Sequence, residues 1–124
     1  MKIIHTDAAP DAIGPYSQAT VVGGLVYTSG QIPIVPATGD LAAAEIMTQT
    51  AQVIANLEAV LTAAGSDLAH IVKTTCFLTD MADFPAFNEA YAAHLPTKPA
   101  RSCVAVRALP KGALVEIEVV AEVI

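Results

Sequence analysis

The chain is short of charge. Asp, Glu, Lys and Arg make up 15% of its 124 residues and hydrophobic residues 54%, a balance that excludes an intrinsically disordered chain and predicts dense packing. Cationic residues are scarcer still: 6 Lys and Arg against 12 Asp and Glu give a net charge of −6. That field repels polyanions, so nucleic acid and anionic membrane surfaces are not expected partners. Cysteine is nearly absent. Cys76 and Cys103 are too few for a disulfide framework and lack the short paired spacing of zinc sites, so both read as free thiols. His5, His70 and His94 are scattered without ligand spacing, and no metal is expected. No apolar run is long enough to span a bilayer, and Met1 to Asp7 holds only two isoleucines where a signal peptide needs a longer apolar core. The expectation is a cytoplasmic protein without membrane contact.

A chain of this length has room for one ordinary core, so residues 1–124 are read as a single domain. With so few charged residues, polar surface is too scarce to cover a monomer, which predicts burial of apolar surface against a partner chain. Lys2 to His5 reads as a short strand and Asp7 to Ser17 as a loop. Ala19–Val22 and Leu25–Ser29 flank Gly23-Gly24, the spacing of a tight hairpin with positive φ at both glycines. Gly30 to Asp40 reads as a loop. From about Ala43 to Ala64, Ile46, Val53, Leu57, Val60, Leu61 and Ala64 recur at helical spacing, with Gly65 placed for a left-handed cap. Ile71 to Leu78 is a strand. Asp80 or Asp83 then offers an N-cap to a second helix with Pro85 in its first turn and Pro96 beyond its end. Strands Ala100–Val106 and Ala113–Val123 close the chain, and the pattern predicts an α+β fold with a mixed sheet and both helices on one face.

Alternation divides each strand into two faces. In the last strand Val115, Ile117, Val119, Ala121 and Val123 form the face the helices must cover, leaving Glu116, Glu118, Val120 and Glu122 opposite. In the strand before it, Ser102, Val104 and Val106 are expected beneath the helices. Arg101, Cys103 and Ala105 then fall on the open face beside Glu116 and Val120. That mixture suits a face partly buried against another subunit, with its charges gathered in a cleft.

The segment Pro99-Ala100-Arg101-Ser102-Cys103-Val104, followed by Val115-Glu116-Ile117, resembles the signature of the Rid/YjgF family of deaminases. Gly14-Pro15-Tyr16-Ser17-Gln18, Thr28-Ser29-Gly30-Gln31-Ile32-Pro33, Ile71-Val72-Lys73-Thr74-Thr75 and Phe84 through Asn88 to Tyr91 resemble it too, in the same order and spacing, so the likeness covers nearly the whole chain. The resemblance implies a chorismate-mutase-like fold assembled as a homotrimer. It also implies hydrolysis of 2-iminopropanoate, 2-iminobutanoate and related imino or enamino acids to 2-keto acids and ammonia, without a cofactor.

Arg101 is the first candidate, because its planar fork of donors can grip a carboxylate by two parallel hydrogen bonds. On position alone a strand arginine is more often an ordinary surface residue, and the motif reverses that preference. Glu116 could hold a water for addition to a C=N bond. Alternation cannot choose between Glu116 and Glu118; the motif selects Glu116. Asn88 shares a helix face with Phe84, Phe87, Tyr91 and Leu95, where an amide needs partners. The resemblance adds Tyr16 and Ser29 to the pocket, with Gly30 and Cys103 lending backbone groups. Cys103 is not expected to act as a nucleophile, since no histidine lies near it in sequence and imine hydrolysis needs no covalent step. Two other readings compete. One is an endoribonuclease that inhibits translation, which an acidic chain without paired histidines fits poorly; the other is a metabolite-binding regulator that keeps the pocket without turnover.

Overall fold

The computed structural model describes residues 1–124. Six strands form one sheet: β1 (Lys2–Ile4), β2 (Ala19–Val22), β3 (Leu25–Thr28), β4 (Ile71–Leu78), β5 (Ala100–Ala105) and β6 (Val115–Glu122), in the order β1-β2-β3-β6-β4-β5. Gly23 and Gly24 turn β2 into β3 at φ 59° and 77°, a conformation that leaves residues with a Cβ strained and so uses the glycine pair. Helix α1 (Ile46–Ala63) links β3 to β4, and α2 (Phe84–His94) links β4 to β5, which pair in parallel. The last strand, β6, lies between β3 and β4 and is antiparallel to both.

Helix α1 begins at Ile46 rather than near Ala43, because extended Glu45 caps it, its carboxylate accepting from the N–H groups of Met47 and Thr48 at 2.9 and 2.8 Å. At the other end Gly65, at φ 81°, lets Ser66 N–H reach Leu61 C=O and Gly65 N–H reach Thr62 C=O, the paired bonds of a glycine-terminated helix. Every position in the expected helical stripe is buried. For α2, Asp80 caps the single 3₁₀ turn Met81–Asp83 through the N–H of Ala82, while Asp83 occupies the helix N-cap position without a side-chain bond. The two helices and the inward residues of β6, β4 and β3 enclose one main core that includes Val26, Leu57, Leu61, Cys76, Leu78, Phe87 and Ile117. A small second cluster of Ile32, Ile34 and Ala113 packs the loop after β3 against the turn before β6.

The orientation of β6 is as expected for Val115, Ile117, Val119 and Ala121, all buried under the helices, but not for Val123, which falls past the end of the strand and is 36% exposed. That of β5 is reversed. Register pairs Cys76 with both Ile117 and Cys103, so Arg101, Cys103 and Ala105 lie on the helix side and Ser102 and Val104 on the open side with Glu116. Alternation separates a strand into two sets without saying which set faces the core. Apolar Val104 suggested the wrong one: it is 48% exposed, whereas the arginine is covered by aromatic rings.

Candidate active site

Arg101 stands on the edge strand β5 with its guanidinium over one face of α2. Its central carbon lies 4.9 Å from the Tyr91 ring centre, 5.5 Å from Phe84 and 5.8 Å from Phe87, so the cation rests on three π faces. One Nη donates to Asn88 Oδ1 at 2.8 Å. Tyr91 is held in turn by a 2.8 Å hydrogen bond between its hydroxyl and that of buried Thr74, the residue opposite Arg101 in the β4–β5 register. No carboxylate pairs with Arg101. The guanidinium is thus oriented and partly shielded from water, with donors left over. It borders a recess of about 230 Å³ whose walls include Tyr91, Leu95, Lys98 and Pro99. Cys103 sits two residues on, packed against the core.

Glu116 belongs to a different neighbourhood. Between the pairs Tyr27–Val120 and Gln31–Ile117, the chain after β3 takes one step more than β6, a bulge of the kind that re-aims side chains beside functional sites. Thr28 Oγ1 accepts from Val119 N–H at 3.0 Å within it. The bulge presses Gly30 against Glu116 so closely that a Cβ built on Gly30 would lie 2.5 Å from Glu116 Oε2. The carboxylate lines a narrow recess of about 50 Å³, shared with Tyr16, Gln18, Gly30, Ile32 and Pro110 and large enough for a few waters. Burial, and then the charge of Glu118, raises the Glu116 carboxyl above the ordinary glutamate value. Such a group can take and return a proton closer to neutrality.

Polar side chains brace this second neighbourhood from behind. Gln18, buried, accepts from Thr6 N–H at 2.7 Å and donates to the carbonyls of Thr6 and Pro10, tying down the loop that carries Tyr16. The Tyr16 hydroxyl accepts from Ile13 N–H at 3.2 Å, and Ser29 Oγ donates to Ser17 C=O at 2.6 Å. From α1, Asn56 donates to the carbonyls of Ile32 and Ile34, and Gln49 accepts from Leu114 N–H. Gly30 makes none of the loop hydrogen bonds that fix Ser29 and Gln31, so its backbone groups are available.

The thiols are unsuited to nucleophilic work. Burial pushes Cys76 up to about 12 and raises Cys103 despite the nearby guanidinium. The one grouping of possible metal ligands, His5 with Asp7 and Asp11, is exposed on the N-terminal loop, where the imidazole Nε2 lies 3.4 Å from Asp11 Oδ1.

The family model described as Endoribonuclease L-PSP matches residues 6–123. The chain belongs to this Rid/L-PSP family. Curated relatives include "Putative regulator AldR" of Lactococcus lactis, 52% identical over 99% of this chain and 98% of the relative, and "Putative reactive intermediate deaminase TdcF" of Escherichia coli, 45% identical over 97% and 95%. The crystal structure of E. coli TdcF with bound serine superposes with a TM-score of 0.92 at 44% identity, covering 98% of each chain. The Rid/L-PSP fold is therefore shared throughout, while the names given to its members range from endoribonuclease to regulator to deaminase.

Within this Rid/L-PSP chain the seven candidates separate into two groups. Asn88, Arg101 and Cys103 gather on the helix side of the sheet; Tyr16, Gly30 and Glu116, with Ser29 adjoining, gather at the bulge on the other. The expectation that Arg101 and Glu116 share a face is corrected: the register sets them on opposite faces, so within one chain the sheet stands between them. Sequence reasoning missed the aromatic shelf as a support for Arg101. The helix periodicity had already aligned Phe84, Phe87, Asn88 and Tyr91, and the reversed β5 hid what they face. It also missed Gln49 and Asn56, polar positions on an otherwise apolar helix stripe.

Proposed function

We propose that the protein is a cytoplasmic deaminase that hydrolyses 2-imino acids and their enamine tautomers, such as 2-iminopropanoate and 2-iminobutanoate, to 2-keto acids and ammonia. The observation that carries the reading is Arg101, a guanidinium oriented by Asn88 and three aromatic rings and lacking any acidic partner. That arrangement suits a planar carboxylate taken from solution. Glu116, its affinity for a proton raised by burial, holds a water in its recess and moves the water's proton. Water adds to C2 of the imine; the nitrogen, protonated, leaves as ammonia as the C2–O bond becomes a carbonyl. The imine nitrogen is basic by itself, so these steps need no electrophilic cofactor. The deaminase name of TdcF and its serine-bound structure favour a ligand of amino-acid size.

Two half-sites on opposite faces make a site only when two chains meet. We therefore read the protein as a homotrimer in which the Arg101 group of one subunit closes over the Tyr16, Gly30 and Glu116 group of the next. The open sheet face supports this with apolar side chains that water would otherwise wet, Val22 at 53%, Tyr27 at 43% and Val104 at 48% exposed. Ribonuclease activity has less behind it: no histidine lines either recess, and the charge of −6 repels RNA. The test adds the protein to a threonine dehydratase reaction that generates the imine. Faster release of ammonia and keto acid is expected, and an unchanged rate would remove the proposal.

A further inference from the structure

We infer that Lys98 is a substrate-steering residue, a second cation that draws the anionic substrate to Arg101. The inference rests on the deaminase reading and extends it to a residue outside the family motif quoted above.

Lys98 borders the same recess as Arg101, and these two are the only charged residues on its walls. No salt bridge occupies either. In a molecule of net charge −6 a carboxylate approaching from solution is repelled on average, and a local pair of unpaired cations reverses the sign of the field where it matters. Backbone geometry singles out the position as well. Lys98 has φ 54°, in the left-handed region where a residue with a Cβ is strained. It also precedes Pro99, which narrows its choices further. Its N–H closes the turn onto Leu95 C=O at 3.4 Å. Glycine would make this turn without strain, yet the chain spends a long cationic side chain there, and strain retained at the rim of a site signals a function for the side chain. The other left-handed lysine, Lys111, borders a groove that also carries Asp7 and Asp11, so its charge is locally offset.

The experiment measures kcat/KM against ionic strength for wild type, Lys98→Gln, Lys98→Arg and Lys98→Gly. At 0.01 M salt, where the screening length is about 30 Å, Lys98→Gln should lose about 5-fold in kcat/KM, and at 1 M, with about 3 Å, the difference should nearly vanish. The loss falls on substrate capture. Lys98→Arg should recover it, and Lys98→Gly should match Lys98→Gln in kinetics while melting at a higher temperature, since glycine relieves the backbone. Equal salt slopes for wild type and Lys98→Gln would overturn the inference, as would a glycine variant that keeps wild-type kinetics. So would dissociation of Lys98→Gln at micromolar concentration in analytical ultracentrifugation, which would assign the residue to assembly. Binding of 2-oxobutanoate, read by calorimetry on the same variants, keeps the two ideas apart. If wild type fails to hydrolyse imines the deaminase reading falls, whereas a salt-dependent loss of 2-oxobutanoate affinity in Lys98→Gln would still uphold the steering role and its absence would remove it.

Discussion

Replacing Gly30 by alanine isolates the placement of the Glu116 carboxylate from everything else in the fold. Gly30 does not sit in the left-handed region, so its backbone accepts alanine without torsional strain. The added Cβ would lie 2.5 Å from Glu116 Oε2 and 2.7 Å from its Cδ. Restoring an ordinary contact of about 3.4 Å moves the carboxylate by roughly 1 Å, and a misplacement of that size costs on the order of 10²-fold in turnover. The displaced atoms are the mobile end of a half-buried side chain, so folding should lose less than about 1 kcal/mol and the melting temperature should drop by no more than about 4 °C. The assay pairs steady-state imine hydrolysis with thermal unfolding on the same preparation. Retention of wild-type kcat in Gly30→Ala would refute the role given to Glu116. A large loss of stability would show instead that the contact supports the fold.

Arg101→Lys keeps the charge but gives up the forked donors and the fit to the aromatic shelf, so kcat/KM should fall about 10²-fold or more with the circular dichroism spectrum unchanged; near-wild-type kinetics would reject the carboxylate grip. The pH profile of kcat should show an acid limb above the ordinary glutamate value, because the ionised form of Glu116 is lost as pH falls through its raised pKa. Glu118→Gln removes the neighbouring negative charge and should move that limb to lower pH, and an unmoved limb would mean another group titrates. Cys103→Ser should stay within about 3-fold of wild type, since burial keeps the thiol protonated; inactivity would reopen a covalent route.

Elements with a strong local cause were legible in the sequence. The glycine pair at 23 and 24, the α1 stripe capped by Gly65 and the β6 alternation from Val115 to Ala121 each depend on neighbours a few residues away, and each folds as read. What failed depended on distant contacts. Whether Arg101 or Ser102 faces the helices is decided by the parallel register of β5 on β4, set across the α2 crossover, and local alternation carries no information about that pairing. The bulge that lodges Gly30 against Glu116 was also invisible, because residues 28–31 oppose a strand nearly ninety positions away. The motif resemblance picked out residues that the structure gathers into two clusters, but it could not say that one sheet separates them.

That separation leads to the sharpest test of assembly. Tyr16→Ala damages the half-site around Glu116, and Arg101→Ala damages the other. If each site is closed by two subunits, a trimer of either variant alone has three impaired sites. In a mixture unfolded together and refolded at equal ratio, a contact is whole when an intact Arg101 half meets an intact Tyr16 half. With random assembly and cyclic closure this happens at about one contact in four, so about one quarter of wild-type activity should return. Separately refolded variants, mixed afterwards without exchange, should show no gain. Co-refolded trimers that remain as weak as their parents would place both halves in the site of one subunit, which the register of β5 forbids unless the strand re-pairs. A monomer by analytical ultracentrifugation at micromolar concentration would end the shared-site model outright. The two failures differ in meaning, since the first would contradict the sheet and the second only the assembly.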